Sequence, residues 1–455
     1  MTASSSEART ARRGRVSWVL FEWARNPYVP VITVFIYATY FSRDIVGDPV
    51  EGQALWAAIQ GYAGLVVAVS APFLGAMADA AGRRKPWVAG FSLTLAAASA
   101  TLWFGRPGGA GLGLFGIGAA VALANLSYDA SIVFHGAMLP SLVGERRIGR
   151  WSGLGYGLGN LAGLVLLVFL LVFIYLPAQP LFGLDRVTHE HERISGPLCA
   201  LWFGVFSIPF FLFTPDRESK HVPAGTAIRR GLSSVVRTVR SLKHYRNAGA
   251  YLLVRMIYND GQNVMLAFGG VYAAGVFHWG TVETALYGIL VLVFASLGGW
   301  LGGRLSDCIG TRRALHLSIG GMIVFALVSL GFAPNRLFFA IPYAAGTKIA
   351  ALPIFATAPE LFYIASVMGI AVCLVATYAN SRAMMARIAP ESRMTEFFGL
   401  YALSGEATAF MAPLTVAYVT RTSGSQQWGM AAIVAFLAAG WIGLFFVREE
   451  RVAAV

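Results

Sequence analysis

Apolar residues run through this chain in long uninterrupted stretches separated by short polar connections. A helix crosses a hydrocarbon core with roughly 20 apolar residues. Stretches of that order fall at about residues 18–42, 54–80, 87–105, 111–140, 151–178, 196–214, 248–276, 283–306, 314–333, 361–386, 396–420 and 427–447. The pattern predicts an all-α membrane protein with twelve transmembrane spans. Pro27 and Pro30 interrupt the first span and predict a kink there.

Two of the polar connections repeat each other. Residues 75–85 read GAMADAAGRRK and residues 303–313 read GRLSDCIGTRR, so Gly75, Asp79 and Gly82 match Gly303, Asp307 and Gly310 at an offset of 303 − 75 = 228. Arg83 and Arg84 follow the first copy, and Arg312 the second. One duplicated module accounts for this. It predicts a head at 1–16 without fixed structure and an N-terminal six-helix half at 17–214. A linker at 215–247, a C-terminal half at 248–447 and a tail at 448–455 follow. The linker interleaves apolar residues with Arg and Lys from Ala227 to Tyr245, as an amphipathic helix on an anionic leaflet does.

Composition agrees with the spans: 57% of residues are hydrophobic and 13% charged, too apolar for a soluble globular chain. The net charge of +13 raises nucleic acid as a partner, and its placement removes it. The connections at 1–17, 81–86, 141–150, 215–247, 307–313, 387–395 and 448–455 hold most of the Arg and Lys. The opposite connections hold only Arg43, Arg106, Arg186, Arg193, Arg336, Lys348 and Arg421. By the positive-inside rule the first set, with both termini, is cytoplasmic. The three cysteines, Cys199, Cys308 and Cys373, are scattered and fit neither a disulfide framework nor a zinc site. The run THEHER at 188–193 offers an incomplete ligand set and reads as a solvated loop.

A charge inside a bilayer costs at least about 2.5–3.5 kcal/mol on insertion scales, so polar groups within the spans are candidates for function. Glu22 and Arg25 sit one turn apart in the first span. Asn125, Asp129 and His135 share a face of the fourth. Arg255, Asn259 and Asp260 lie in the seventh, Asn380 and Arg382 in the tenth, and Glu406 in the eleventh. Asp129, Asp260 and Glu406 are candidates for proton binding, since burial raises a carboxylate pKa; pairing with Arg255, Arg382 or a helix end is the alternative. His135 is a proton relay or a helix cap. Arg255 and Arg382 hold a substrate carboxylate or form salt bridges within the bundle. Asp79, at a helix C-terminus where the dipole disfavours a negative charge, needs compensation from Arg83, Arg84 or another helix start. The repeated motif therefore reads as a latch that closes one mouth, with Asp79 meeting residues near Glu396 and Asp307 meeting residues near Trp151.

Two G-x-x-x-D-x-x-G motifs in a chain of twelve spans resemble the major facilitator superfamily. Further stretches resemble its vacuole-effluxer-like branch, the autophagy-type amino-acid effluxers. These are Trp18, Leu20, Phe21, Glu22, Trp23 and Ala24; Phe134, Ala137, Leu139 and Pro140; and Tyr258, Asn259, Asp260 and Gly261. Ser381 with Arg382, and Glu396, Phe397, Phe398, Gly399 and Tyr401, complete the set. Arg25 and Asn26 stand where the family usually has Asn-Ser, and His135 and Gly136 where it has Tyr-Asn. The resemblance implies two six-helix halves with a site near the midplane, lined by the first, fourth, seventh and tenth spans.

The expected function is secondary active transport of a small polar solute, amino acids by family analogy, across the inner membrane by alternating access, coupled to protons and running as efflux. The alternatives are export of a drug, sugar or lipid-like molecule, and a transport-dead sensor or scaffold acting through 215–247. The spans hold no nucleophile–base pair, so an enzyme is not expected. The expected partners are a small-molecule substrate, protons and the bilayer, with the chain as a monomer; no cofactor, metal or nucleic acid is expected.

Overall fold

The computed structural model describes residues 5–47, 49–109, 111–144, 147–216, 245–277, 279, 281–349, 354–409 and 411–449. Helical segments lie at each predicted span. In chain order the main helices are α1 (Ser5–Arg25), α2 (Pro49–Ala81), α3 (Lys85–Thr101), α4 (Gly113–Leu142), α5 (Ile148–Leu170) and α6 (Ser195–Phe213). They continue with α7 (Arg246–Phe277), α8 (Thr281–Ile309), α9 (Thr311–Leu330), α10 (Ala358–Ile388), α11 (Met394–Glu406), α12 (Met411–Ser423) and α13 (Gln426–Gly443). Among the described residues eight helices are long and apolar enough to cross a membrane. The first span continues beyond α1 as wide π-type turns, Val29–Phe35, where Pro27 and Pro30 deny the ladder its donors, and then Phe41–Ile45. The predicted eleventh span is two helices, α11 and α12.

The head departs from the expectation for 1–16, because α1 begins at Ser5. Ala, Arg and Glu are strong helix formers, and the extension is tied down where it meets the end of α6. Ser17 Oγ lies 2.8 Å from Thr214 Oγ1, which itself donates to the Gly14 carbonyl at 3.3 Å. The amphipathic stretch of 227–245 lies, but for Tyr245, outside the described residues.

The chain divides into two compact units. One takes in the described residues of 1–145, 158–240 and 389–403, the other those of 146–157, 241–388 and 404–455. In the first, α1 packs on α6, α3 on α4 and α2 on α4. Its core is aromatic, with Trp18, Phe21, Phe134 and Phe210 at 1% exposure or less. In the second, α8 and α9 pack on α10, and α7 on α13. The connection between α9 and α10 carries a two-stranded hairpin, β1 (Arg336–Leu337) with β2 (Ile341–Pro342).

The helix bounds follow from the repeated motif. Gly82 and Gly310 both have positive φ, 86° and 91°, a conformation that favours glycine and ends α2 and α8. The helix that starts next is capped by a distant carboxylate each time. Asp216 accepts Arg84 N–H and Lys85 N–H at 3.0 Å each, and Glu449 accepts Thr311 N–H and Arg312 N–H at 2.9 Å each. These carboxylates follow the sixth and the twelfth predicted spans, so the duplication reaches beyond the motif itself.

Candidate functional site

The second copy of the motif holds a helix start. The first turn of a helix has N–H groups without partners in its own ladder and carries the positive end of the helix dipole. In the second unit, Asp307 accepts Gly149 N–H at 3.0 Å and Arg150 N–H at 2.9 Å, both in the first turn of α5. Arg387 at the end of α10 lies 3.2 Å from Asp307 and 2.7 Å from Glu449, so one guanidinium joins the acid that caps α5 to the acid that caps α9. Close backbone approach makes this capping geometry accessible. A Cβ on Gly153 would collide with Gly299 O and stand 2.7 Å from the Gly303 Cα. Only glycine lets α5 and α8 touch there.

Arg382, read from the sequence as a holder of a substrate carboxylate or a salt-bridge partner within the bundle, lies against this same helix start. Its Nε donates to Ser152 Oγ at 2.9 Å and one terminal nitrogen to Ser152 O at 2.7 Å, while its guanidinium sits 4.2 Å from the centre of the Tyr156 ring. Tyr156 in turn stacks on Tyr378. In the first unit Gly75 lies against Thr395 and Glu396 at the start of α11, where an added Cβ would collide with Thr395 O. Glu396 is buried and pairs with Arg393 at 2.9 Å. The Asp79 side chain lies outside the described residues, as does that of Glu406. Arg83 is exposed, and Arg84 is buried with its guanidinium on the Ala137 carbonyl at 2.6 Å.

The polar groups of α1 and α4 in the first unit gather into a buried cluster. Glu22 and Arg25, 2% and 3% exposed, form an ion pair at 2.5 Å. Arg25 also donates to Ser131 Oγ at 3.3 Å and lies 4.8 Å above the Tyr128 ring. His135 is fully buried and stacked on Trp18 with ring centres 4.3 Å apart. Its Nε2 lies 2.9 Å from Trp18 O, and a carbonyl only accepts, so Nε2 carries a hydrogen. The other nitrogen, Nδ1, faces Glu22 Oε1 at 3.5 Å. A second proton on His135 would sit between imidazole and carboxylate. His135 is at no helix end, and the capping alternative falls. Asn125 joins Tyr28 at 2.8 Å and also Gln60, whereas Asp129 is half-buried on the same helix.

In the second unit, the face of α7 formed by Tyr251, Arg255, Tyr258 and Gln262 follows helical spacing. Tyr251 donates to the Ser381 carbonyl at 2.8 Å, and Tyr258 meets Ser381 Oγ at 2.8 Å. Arg255 donates to Ser404 Oγ at 2.7 Å, and Asn259 to Gly405 O at 3.1 Å. Asp260 is 2% exposed. Asn380 on α10 and Gln262 on α7 are fully buried, and both polar atoms of each amide lack a hydrogen-bond partner among the described residues. Sequence reasoning passed over Gln262, Tyr251, Ser152 and Tyr156. The step 251, 255, 258, 262 around Arg255 is the signal for two of them; Ser152 and Tyr156 carry no signal beyond proximity to Gly149 and Gly153 of α5.

Comparison with known proteins places this geometry in a family. Residues 44–454 match the model described as vacuole effluxer Atg22 like. The chain is 23% identical over 447 residues to an uncharacterised MFS-type transporter, YxiO, of Bacillus subtilis strain 168, over 95% of this chain and 94% of that protein. Among solved structures it is similar to FucP, an E. coli fucose:proton symporter, in its outward conformation, with TM-score 0.66 and 13% identity over 97% of this chain and 99% of that one. It is also similar to a bacterial homologue of the iron transporter ferroportin in an outward-facing state, with TM-score 0.64 and 13% identity over 96% and 98% of the two chains. At such identity the solved structures show the fold alone, that of the major facilitator superfamily. The family model spans nearly the whole chain, and this protein therefore belongs to the vacuole effluxer Atg22-like family of MFS-type membrane transporters.

Proposed function

We propose that this transporter moves a small polar solute, of the size and polarity of an amino acid, outward across the cytoplasmic membrane, and that it couples this movement to protons. The observation that carries the reading is the pair Gln262 and Asn380. A buried polar group without a partner costs about 1–3 kcal/mol, so two whole carboxamides buried in this way fit a site whose hydrogen bonds are completed by a polar substrate. Tyr258 and Ser381 join the same two helices beside them. The proton site is Glu22 with His135, where the fixed Nε2 hydrogen leaves Nδ1 and the carboxylate to share or release one proton. Asp260 in the second unit and Asp129 in the first are further candidate proton-binding carboxylates.

Alternating access uses the two motif copies as releasable caps. Asp307 on the first turn of α5 is the closed form of the cytoplasmic latch, reinforced by Arg387 and by Arg382 on Ser152. Asp79 has the corresponding role at the start of α11. Capping a helix start with a carboxylate is strong enough to hold a gate and weak enough to open it, because the same N–H groups are satisfied by water on release.

The test is solute-dependent proton movement by purified protein in vesicles, after a thermal-shift screen of amino acids, peptides, sugars and nucleosides has found a stabilising solute. The expected result is a proton flux that depends on that solute and is lost in Asp260→Asn. Wild type and Asp260→Asn behaving alike across the screened solutes would overturn the reading.

A further inference from the structure

The THEHER run folds into something other than a solvated loop. Glu192 and Arg193 are buried, 6% and 2% exposed. His189 and His191 approach a single atom from two directions: His189 Nδ1 lies 3.0 Å and His191 Nε2 3.2 Å from Oε2 of Glu192. A fourth group arrives from a distant part of the chain. Asp44, in the turn Phe41–Ile45 that ends the first span, places a carboxylate oxygen within 4.8 Å of the His189 and Glu192 ligand atoms, a mutually close set of three that does not take in His191. All four residues belong to the first unit. Tyr40 lies 5.5 Å from the His189 ring and Tyr175 5.6 Å from that of His191, so aromatic walls flank the group. The adjoining cation, Arg193, donates to Trp103 O at 2.6 Å and lies 4.6 Å above the Trp103 ring.

We propose that Asp44, His189 and Glu192 bind a divalent transition metal ion, with zinc as the reference ion, and that His191 turns onto it as the fourth ligand. Two imidazoles and two carboxylates suit an imidazole-preferring metal rather than magnesium or calcium, which take oxygen ligands. Bonds of about 2.0–2.1 Å set tetrahedral ligand atoms about 3.3 Å apart, and the two imidazole-to-carboxylate separations are already near that value. Four protein ligands make a closed site, which fixes structure, whereas a site for cargo keeps a position open. The ion ties the end of the first span to the turn that starts α6. Sequence reading sets the run aside for want of ligands, because Asp44 is far from it in the chain.

Isothermal titration of the purified, tag-free full chain with zinc chloride tests this, with magnesium chloride as the control. The expected result is one zinc per chain that magnesium does not displace. Affinity should fall at least about 10-fold when His189 and His191 are both changed to Ala, as lost ligation requires. The Asp44→Asn variant, which keeps the side chain's shape, should weaken zinc binding while eluting as the wild type does on size exclusion, and so covers the case in which the double variant does not fold. Absence of saturable zinc binding to wild type, or equal binding by wild type and Asp44→Asn, overturns the proposal.

Discussion

Asp307 accepts the backbone N–H of Gly149 at 3.0 Å, so the acid of the second motif copy caps the start of α5. A hydrogen bond to a charged group contributes about 1.5–3 kcal/mol. Asp307→Asn should therefore weaken docking of α5 by about 10- to 100-fold. Hydrogen exchange of a peptide covering 147–153 reads this directly, and it should speed up in the variant. Unchanged exchange would show that Asp307 does not hold α5.

Gly153 leaves no room for a methyl group against α8, whereas a Cβ on Gly90 meets nothing within 4 Å. Gly153→Ala should lower the melting temperature and transport together. Gly90→Ala, on an open helix face, should leave both unchanged or raise stability by about 0.4–1 kcal/mol. Equal effects of the two substitutions would remove the close helix contact from the account.

Glu22 and Arg25 form a buried ion pair, and removing one partner leaves an uncompensated charge at a cost of about 3–5 kcal/mol. Glu22→Gln should lower the thermal midpoint clearly, and the double change Glu22→Gln with Arg25→Met should recover much of the loss. Differential scanning fluorimetry distinguishes these outcomes; a double variant no better than the single one would refute the pairing.

His135→Phe keeps a ring for Trp18 to stack on and removes the titratable nitrogens. Solute exchange, which needs no net proton movement, should survive in this variant, while proton-driven net flux should be lost. Loss of both or of neither would take the coupling role away from His135.

The fold was legible in the sequence because span length and charge asymmetry are set by the bilayer, which acts on every segment alike. The repeat was legible for a different reason: Gly82 and Gly310 are demanded by positive φ, and Gly75 and Gly303 by close helix contact. The polar inventory of the candidate site was also readable, since each buried charge stands out in an apolar span. Partners were harder to read. Arg382 binds Ser152, 230 positions away, and THEHER acquires Asp44 only through folding of the first span. Spacing along one helix reports a face, and the face alone does not say which distant helix meets it. The helical head from Ser5 was missed because a polar, basic run resembles a disordered tail until its contact with Thr214 is known.

The most direct measurement is counterflow of the solute identified by thermal shift, in vesicles containing wild type or Asp307→Asn. The predicted result is rapid exchange by wild type and exchange at least about 10-fold slower in the variant, at an unchanged half-saturating solute concentration, as loss of a gate cap requires. Exchange by the variant at the wild-type rate with a raised half-saturating concentration would contradict the account.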